Sequence, residues 1–237
     1  MKTLNILLLA LVLPIISAFP QQELIGGQSI GGNRVNLLID VSPVVMNESV
    51  EGSPYINEKF LPATISASEG DIFYVRYNAM SDIFEVKGDN NKAYALNRYR
   101  RDIVVEMVHL KKIYQVFGYY DDKQNENFGY FLHLSNSTSK TILFKKERII
   151  FIDEQKATSG YDTAKSARYK RLNDKFYIKL GDEKILSELP SNKKAIVKLF
   201  PEHQESILKY IKENRIKTSK EKDLIQLIGY INTLQIK

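Results

Sequence analysis

The sequence predicts an α+β protein: a predominantly antiparallel β-sheet, arranged as a meander, a sandwich or a partly open barrel, followed by a C-terminal helical segment. Three observations carry this. Short apolar and aromatic runs bounded by turn residues recur from about Gly52 to Leu186. After Pro190 the apolar residues change to a helical period. The chain also has 14 Tyr and 11 Phe but no Trp and no Cys, which suits pleated faces and leaves the fold without disulfides.

The chain opens with MKTLNILLLALVLPIISAFPQQ. Lys2 supplies a positive start, Leu4 to Ile16 is nearly all apolar, and Ser17 and Ala18 are small residues at a cleavage point. That order is the pattern of a secretory signal peptide. The apolar run is shorter than the roughly 20 residues that a membrane-spanning helix needs, and no later run is long enough. With no Cys there is no site for an acylated anchor. Residues 19–51 read as a flexible leader rich in glycine, with one short strand from Val35 to Val41.

Strand signals then dominate residues 52–186. DIFYVRY (71–77) and DIFEVKG (82–88) alternate and are joined by a turn. KAYALNRY (92–99) and DIVVEMVHL (102–110) each read as a strand. KIYQVFGYY and GYFLHLS are joined by the polar loop DDKQNENF, and KTILFKKERIIFI (140–152) holds one or two strands. KFYIKLGDEKILSEL closes the series as a hairpin turning at Gly181–Asp182. In residues 187–237 the spacing of Ile196, Val197 and Phe200, then Ile207, Leu208 and Ile211, predicts a short helix to Leu199 and a second from Pro201 to about Glu213. Asn214 is the expected left-handed cap. Thr218 to Glu221 has the form of a capping box. The last helix carries a broad stripe of Leu224, Ile225, Leu227, Ile228, Ile231 and Leu234, to be buried against the rest of the fold.

VRYNAMSDIFEV (75–86) combines a hairpin pattern with Arg76, Asn78 and Asp82. Asn, Ser and Asp stand where turns use side chains that bond nearby amides, so the stretch reads as a turn that sets strand register. Asn78 tolerates a left-handed backbone there, and Arg76 and Glu85 are expected to face each other as a surface pair.

Tests for chemistry are mostly negative. Gly26 to Asn33 has the glycine spacing of a P-loop, but Gly32 and Asn33 stand where the phosphate-binding Lys and the Ser or Thr should be. His109, His133 and His203 lack partners at zinc-site spacing, although His109 and His133 sit in alternating patterns that a sheet can bring together. Asp121, Asp122, Asn125 and Glu126 fail the calcium-loop pattern at its third and sixth positions. There is no G-x-S-x-G or H-E-x-x-H motif. A carboxylate pair of the glycosidase kind remains open among 28 acidic residues. No metal or cofactor is predicted. The net charge of +6 is spread along the chain, with Lys165, Arg168, Lys170 and Arg171 in what reads as a polar linker. It suits contact with an anionic envelope polymer or lipid head groups and falls short of a nucleic-acid footprint. The candidate ligand-contacting residues are aromatics and arginines of the β-rich region: Tyr94, Arg98, Tyr99, Arg100, Tyr119 and Tyr120. Tyrosines that share an exposed face stack on sugar rings or an acyl chain; the competing reading is ordinary strand packing.

GSPYINEKFLPATI, VRYNAMSDIFEV, FYIKLGDEKI, LFPEHQESILKYIKENRIK and EKDLIQLIGYINTL, in that order, resemble a group of small exported proteins from Bacteroidetes-type bacteria. The resemblance spans about Gly52 to Leu234. It implies an envelope location and a shared fold, and brings no catalytic residue and no established activity. The sequence therefore predicts an exported protein of the periplasm or cell surface with a non-enzymatic binding or structural role, its partner an envelope polymer or another envelope protein. The alternatives are an envelope hydrolase acting on glycan or peptide, and a lipocalin-like carrier of a small apolar ligand, which requires a closed barrel with a cavity.

Overall fold

The computed structural model describes residues 37–40, 50–88, 92–155 and 163–235, the side chains of residues 39 and 40 excepted. The expected signal sequence, most of the glycine-rich leader and the P-loop-like glycines lie outside these. Of the short strand expected at 35–41, the pairing residues are Leu38–Asp40 (β1).

Twelve further strands follow: β2 (Leu61–Ile65), β3 (Ser68–Asn78), β4 (Ile83–Lys87), β5 (Ala93–Leu96), β6 (Val104–Met107), β7 (Lys112–Tyr120), β8 (Glu126–His133), β9 (Thr141–Lys146), β10 (Ile149–Ile152), β11 (Arg168–Arg171), β12 (Lys175–Leu180) and β13 (Ile185–Glu188). One sheet runs β1-β5-β4-β3-β2-β6-β7-β13-β12-β9-β8, and β8 also pairs with β7. The last five strands of that order therefore close on themselves as a ring, while the first six extend from it as an open meander. The barrel is partly closed in this sense. Among the described strands every strand-to-strand pairing is antiparallel except β13 on β7.

The hairpin of β7 and β8 serves both halves, because successive side chains leave a strand on opposite faces. Tyr114, Val116, Tyr130 and Leu132 point into a core shared with the meander, beside Val75, Tyr77, Phe84, Val86 and Val105. Phe117, Tyr119 and Phe131 point into the ring, where Ile142, Phe144, Tyr177 and Leu186 meet them. Both faces of this hairpin are buried, which is why its sequence alternates so little.

Three helices cover the outer face of β9 and β12: α1 (Lys193–Lys198), α2 (Gln204–Glu213, preceded by a single 3-10 turn at Pro201–His203) and α3 (Glu221–Leu234). Ile196, Val197, Ile207, Ile211, Leu224, Leu227, Ile228 and Ile231 bury themselves on Leu143 and Ile178. Asn192 caps α1 through the amide of Lys194 at 2.8 Å.

Several local expectations change. Leu61–Ile65 is a strand although it contains Pro62, and Arg168–Arg171, expected in a linker, is a strand paired with β10. The left-handed residue after α2 is Arg215 (φ 50°), with Asn214 at φ −91°. There is no capping box at Thr218: α3 begins one residue after Lys220, the Thr218 hydroxyl donates to the carbonyl of Ser191 at 2.5 Å, and Glu221 is an ion-pair partner of Lys145. His109 lies on the exposed turn between β6 and β7 and does not meet His133.

Candidate functional site at the barrel mouth

The turn in VRYNAMSDIFEV does more than reverse the chain. Asn78 organises it, its side-chain oxygen accepting from the amides of Met80 (3.2 Å) and Ser81 (3.1 Å). The left-handed residue is Asp82 (φ 57°), not Asn78. Aspartate tolerates that conformation better than most residues. One carboxylate oxygen of Asp82 accepts from the Tyr77 hydroxyl (2.6 Å) and the Tyr130 amide (3.2 Å); the other accepts from Lys146 Nζ at 2.5 Å. Arg76 and Glu85 face each other in register, as expected, with a guanidinium nitrogen 2.7 Å from the carboxylate. The pair is not a surface one. Glu85 is 2 % exposed, it accepts from the Tyr55 hydroxyl, and Arg76 lies over the rings of Tyr55 and Phe60.

Asp82 reaches the barrel where its seam is incomplete. The register between β8 and β9 covers only Leu132 with Lys145 and His133 with Phe144. Next along β8, the amide of Tyr130 donates to Asp82 and its carbonyl accepts from Lys146 at 3.2 Å. The ion pair thus occupies the place of further ladder bonds and satisfies backbone groups that burial would otherwise penalise. Gly129 makes room for it: a Cβ there would stand 2.2 Å from both the Asp82 oxygen and Lys146 Nζ. Burial pushes the Lys146 ammonium below its ordinary pKa; Asp82 opposes this and the charge of Arg98 adds to it. Phe131 and Tyr119 offer ring faces to the ammonium at 4.7 and 5.2 Å.

Around this clasp lies the mouth of the ring. Tyr119 and Tyr177 meet edge to face at 5.8 Å, and neither hydroxyl has a hydrogen-bond partner among the described residues. Burial raises the pKa of the Tyr119 phenol, as do Asp82 and Asp121, while Arg98 and Arg148 pull it down. Burial likewise raises that of Tyr177, helped by Glu188 and Asp122 and opposed by Arg148. Lys175 donates to Asp122 and, at 2.9 Å, to Glu188. The Asp121 carboxylate is held by its own loop, accepting from the amides of Lys123 and Asn125. Arg98 and Arg148 are half-buried, and among the described residues neither has an ion-pair partner.

Of the residues expected to contact a ligand, Tyr119 lies at this mouth, and the charge of Arg98 reaches its hydroxyl. The other four have no contact joining them to the cluster among the described residues. Tyr94 lies on β5 with its ring against Gly88, Tyr99 is 73 % exposed, Arg100 is paired with Asp102 at 2.6 Å, and Tyr120 points outward at the end of β7. Asp82, Lys146, Arg148 and Tyr177 were missed as site residues. The available signal was Lys145–Lys146 inside TILFKKERIIFI, since a lysine buried in an apolar strand requires a partner.

The opposite end of the ring holds His133, packed against Phe117 (6.1 Å) and Phe144 (4.7 Å), with its Nε2 buried and without a partner among the described residues. Burial, with Lys179 nearby, lowers its pKa from 6.5 to about 4. The unfolded chain therefore binds a proton below pH 6.5 that the folded chain refuses until about pH 4. Stability is expected to fall across that window as pH drops, by roughly 2 kcal/mol. Urea unfolding at pH 7 and pH 4.5 measures it, and His133→Phe should flatten the difference. Among the described residues no three His, Asp or Glu side chains are placed to hold a metal ion.

The chain matches no family model, no curated protein and no solved structure. The resemblance read from its motifs brings no residue role to this site, so the mouth is interpreted from its own geometry.

Proposed function

We propose that this is an exported envelope protein with a non-enzymatic binding role, and that it meets an anionic envelope polymer at the barrel mouth. The observation that carries the reading is the pair of half-buried arginines, Arg98 and Arg148, which have no acidic partner among the described residues and whose charges both reach the Tyr119 hydroxyl. Guanidinium groups presented in this way suit planar oxyanions. The signal-like residues 1–18 and the net charge of +6 support export and an anionic partner.

The two alternatives find less support. A carrier needs an apolar cavity, whereas seven large side chains fill the ring. A hydrolase needs activated groups in a pocket. Here His109 is exposed, His133 Nε2 has no hydrogen-bond partner among the described residues, and Asp122 and Glu188 are both tied to one lysine, Lys175.

Retention on immobilised lipopolysaccharide tests the reading. The mature chain is expected to bind at about 0.01 M salt and to elute by about 1 M, where charges are screened beyond about 3 Å. The exported chain is expected to begin at Phe19. No retention at low salt contradicts the binding role, and a chain exported with residues 1–18 intact contradicts the signal.

A further inference from the structure

We infer that the free edge of β10 is a self-association surface, where a second copy of this chain adds its own β10 antiparallel about a twofold axis. β10 and β11 form a two-stranded sheet of their own, and no other described strand pairs with β10. The register fixes which backbone groups lie outward. The Leu172 amide donates to the Arg148 carbonyl at 3.0 Å, so Arg148, Ile150 and Ile152 are the residues bonded to the facing strand. The amide and carbonyl of Phe151 therefore point away from β11. The facing strand keeps the same phase: the Tyr169 amide, directed outward, donates to the Glu51 carbonyl at 2.8 Å. Glu51 thus takes up that edge of the ribbon, and no described backbone group takes up the edge at Phe151.

The strand also lacks the devices that keep edges from pairing. Its four residues, IIFI, include no charge and no proline, and Ile150 and Phe151 are 40 % and 42 % exposed. A two-stranded ribbon is marginal in water, whereas a sheet of three or more strands with an apolar face holds itself together. With the twofold axis at Phe151, that residue faces its own counterpart, and each Ile150 stands opposite Ile152 of the second copy. Such cross-strand apolar pairs stabilise a sheet. Arg168 and Lys170 do not oppose this. They lie on β11, and the two copies of β11 would form the outer strands, about 14 Å apart and beyond the screening length of about 8 Å. The base of the ribbon is already fixed, with Ile149 buried in the core and Arg171 held by Asp174 at 2.5 Å, so pairing costs little ordering. A foreign strand would find the same backbone bonds; the second copy also brings an uncharged apolar strand in matching register. Two short strands bury less than the roughly 1,600 Å² of a standard interface, so the dimer is expected to be weak.

Sedimentation velocity of the chain comprising residues 19–237 tests this across concentration. A monomer–dimer equilibrium in the micromolar range is expected. Phe151→Lys should weaken it at least about tenfold, since like charges would then face each other across the axis. Cross-linking reads the register. The chain has no Cys, so Phe151→Cys carries a single thiol. Residues paired in this way stand about 5.5 Å apart at Cα, within disulfide range. Under mild oxidation Phe151→Cys is expected to form a disulfide-linked dimer, and Lys170→Cys on β11 is not. The cross-link decides the matter if the Lys variant melts early, because cysteine is small and apolar. A chain that stays monomeric at about 1 mM would overturn the inference. So would a dimer unaffected by Phe151→Lys, or equal cross-linking from both cysteine positions. Growth into open polymers would overturn the twofold arrangement. A monomer that binds a synthetic extended peptide, and loses it on Phe151→Lys, would assign the edge to a foreign strand instead.

Discussion

Replacing Asp82 by Ala is expected to destabilise the protein by about 3–5 kcal/mol, because it leaves a buried ammonium without its counter-ion. Lys146 lies in the strand with the most complete burial, all six residues of β9 being buried, so its ammonium has little access to solvent in place of its counter-ion. The same change strips the Tyr77 hydroxyl and the Tyr130 amide of their acceptor. For a chain of this length the loss corresponds to a drop in Tm on the order of 10 °C, measurable by thermal unfolding followed by circular dichroism. A change within about 1 kcal/mol, as for an ordinary turn residue, would mean that the carboxylate does not hold the barrel to the meander.

Truncation at Pro190 is the second large effect expected. The helices are the cover of the ring's outer wall: without them Leu143 and Ile178, both fully buried, face water together with Phe176 and Leu180. Each large aliphatic side chain so exposed loses about 1.5–3 kcal/mol. Polar ties are lost as well. The Asn232 side chain accepts from the Thr141 amide at 2.9 Å and donates to its carbonyl at 2.8 Å, and Lys145 pairs with Glu221 at 2.7 Å. Against a total stability of about 5–15 kcal/mol, the remaining β portion is expected to aggregate or to lose its cooperative unfolding transition. A soluble fragment with a sharp urea transition would show that the helices are an appendage.

The strands and helices whose sequence obeys one simple period were legible beforehand. DIFYVRY and DIFEVKG alternate because one face is buried, and the stripe of α3 repeats at helical spacing because one side packs on the ring. The elements that escaped obey no such period. Leu61–Ile65 carries a proline, and Arg168–Arg171 is polar because it forms half of a two-stranded ribbon. β9 is buried on both faces, so its lysines looked like surface charge when each has a partner. Ring closure was not readable because it depends on the long-range pairing of β8 with both β7 and β9, to which no local pattern points.

The candidate site shows the same limit. Arg98 and Tyr119 could be nominated as an arginine and an aromatic in a β-rich region, as could Tyr94, Tyr99, Arg100 and Tyr120. What separates them is their tertiary placement, to which no local pattern points. Asp82 illustrates it best. Its sequence context reads correctly as a turn, yet its carboxylate acts 48 positions away at Tyr130 and 64 away at Lys146.

The central claim is that meander and barrel form one unit fastened where Asp82 enters the open β8–β9 seam. A double-mutant cycle with Asp82→Ala and Lys146→Met, read by urea unfolding, tests it most directly. The account predicts a coupling of about 2 kcal/mol or more, with the double variant more stable than Asp82→Ala alone, since a methionine needs no counter-ion. Effects that add to within about 0.5 kcal/mol would contradict it.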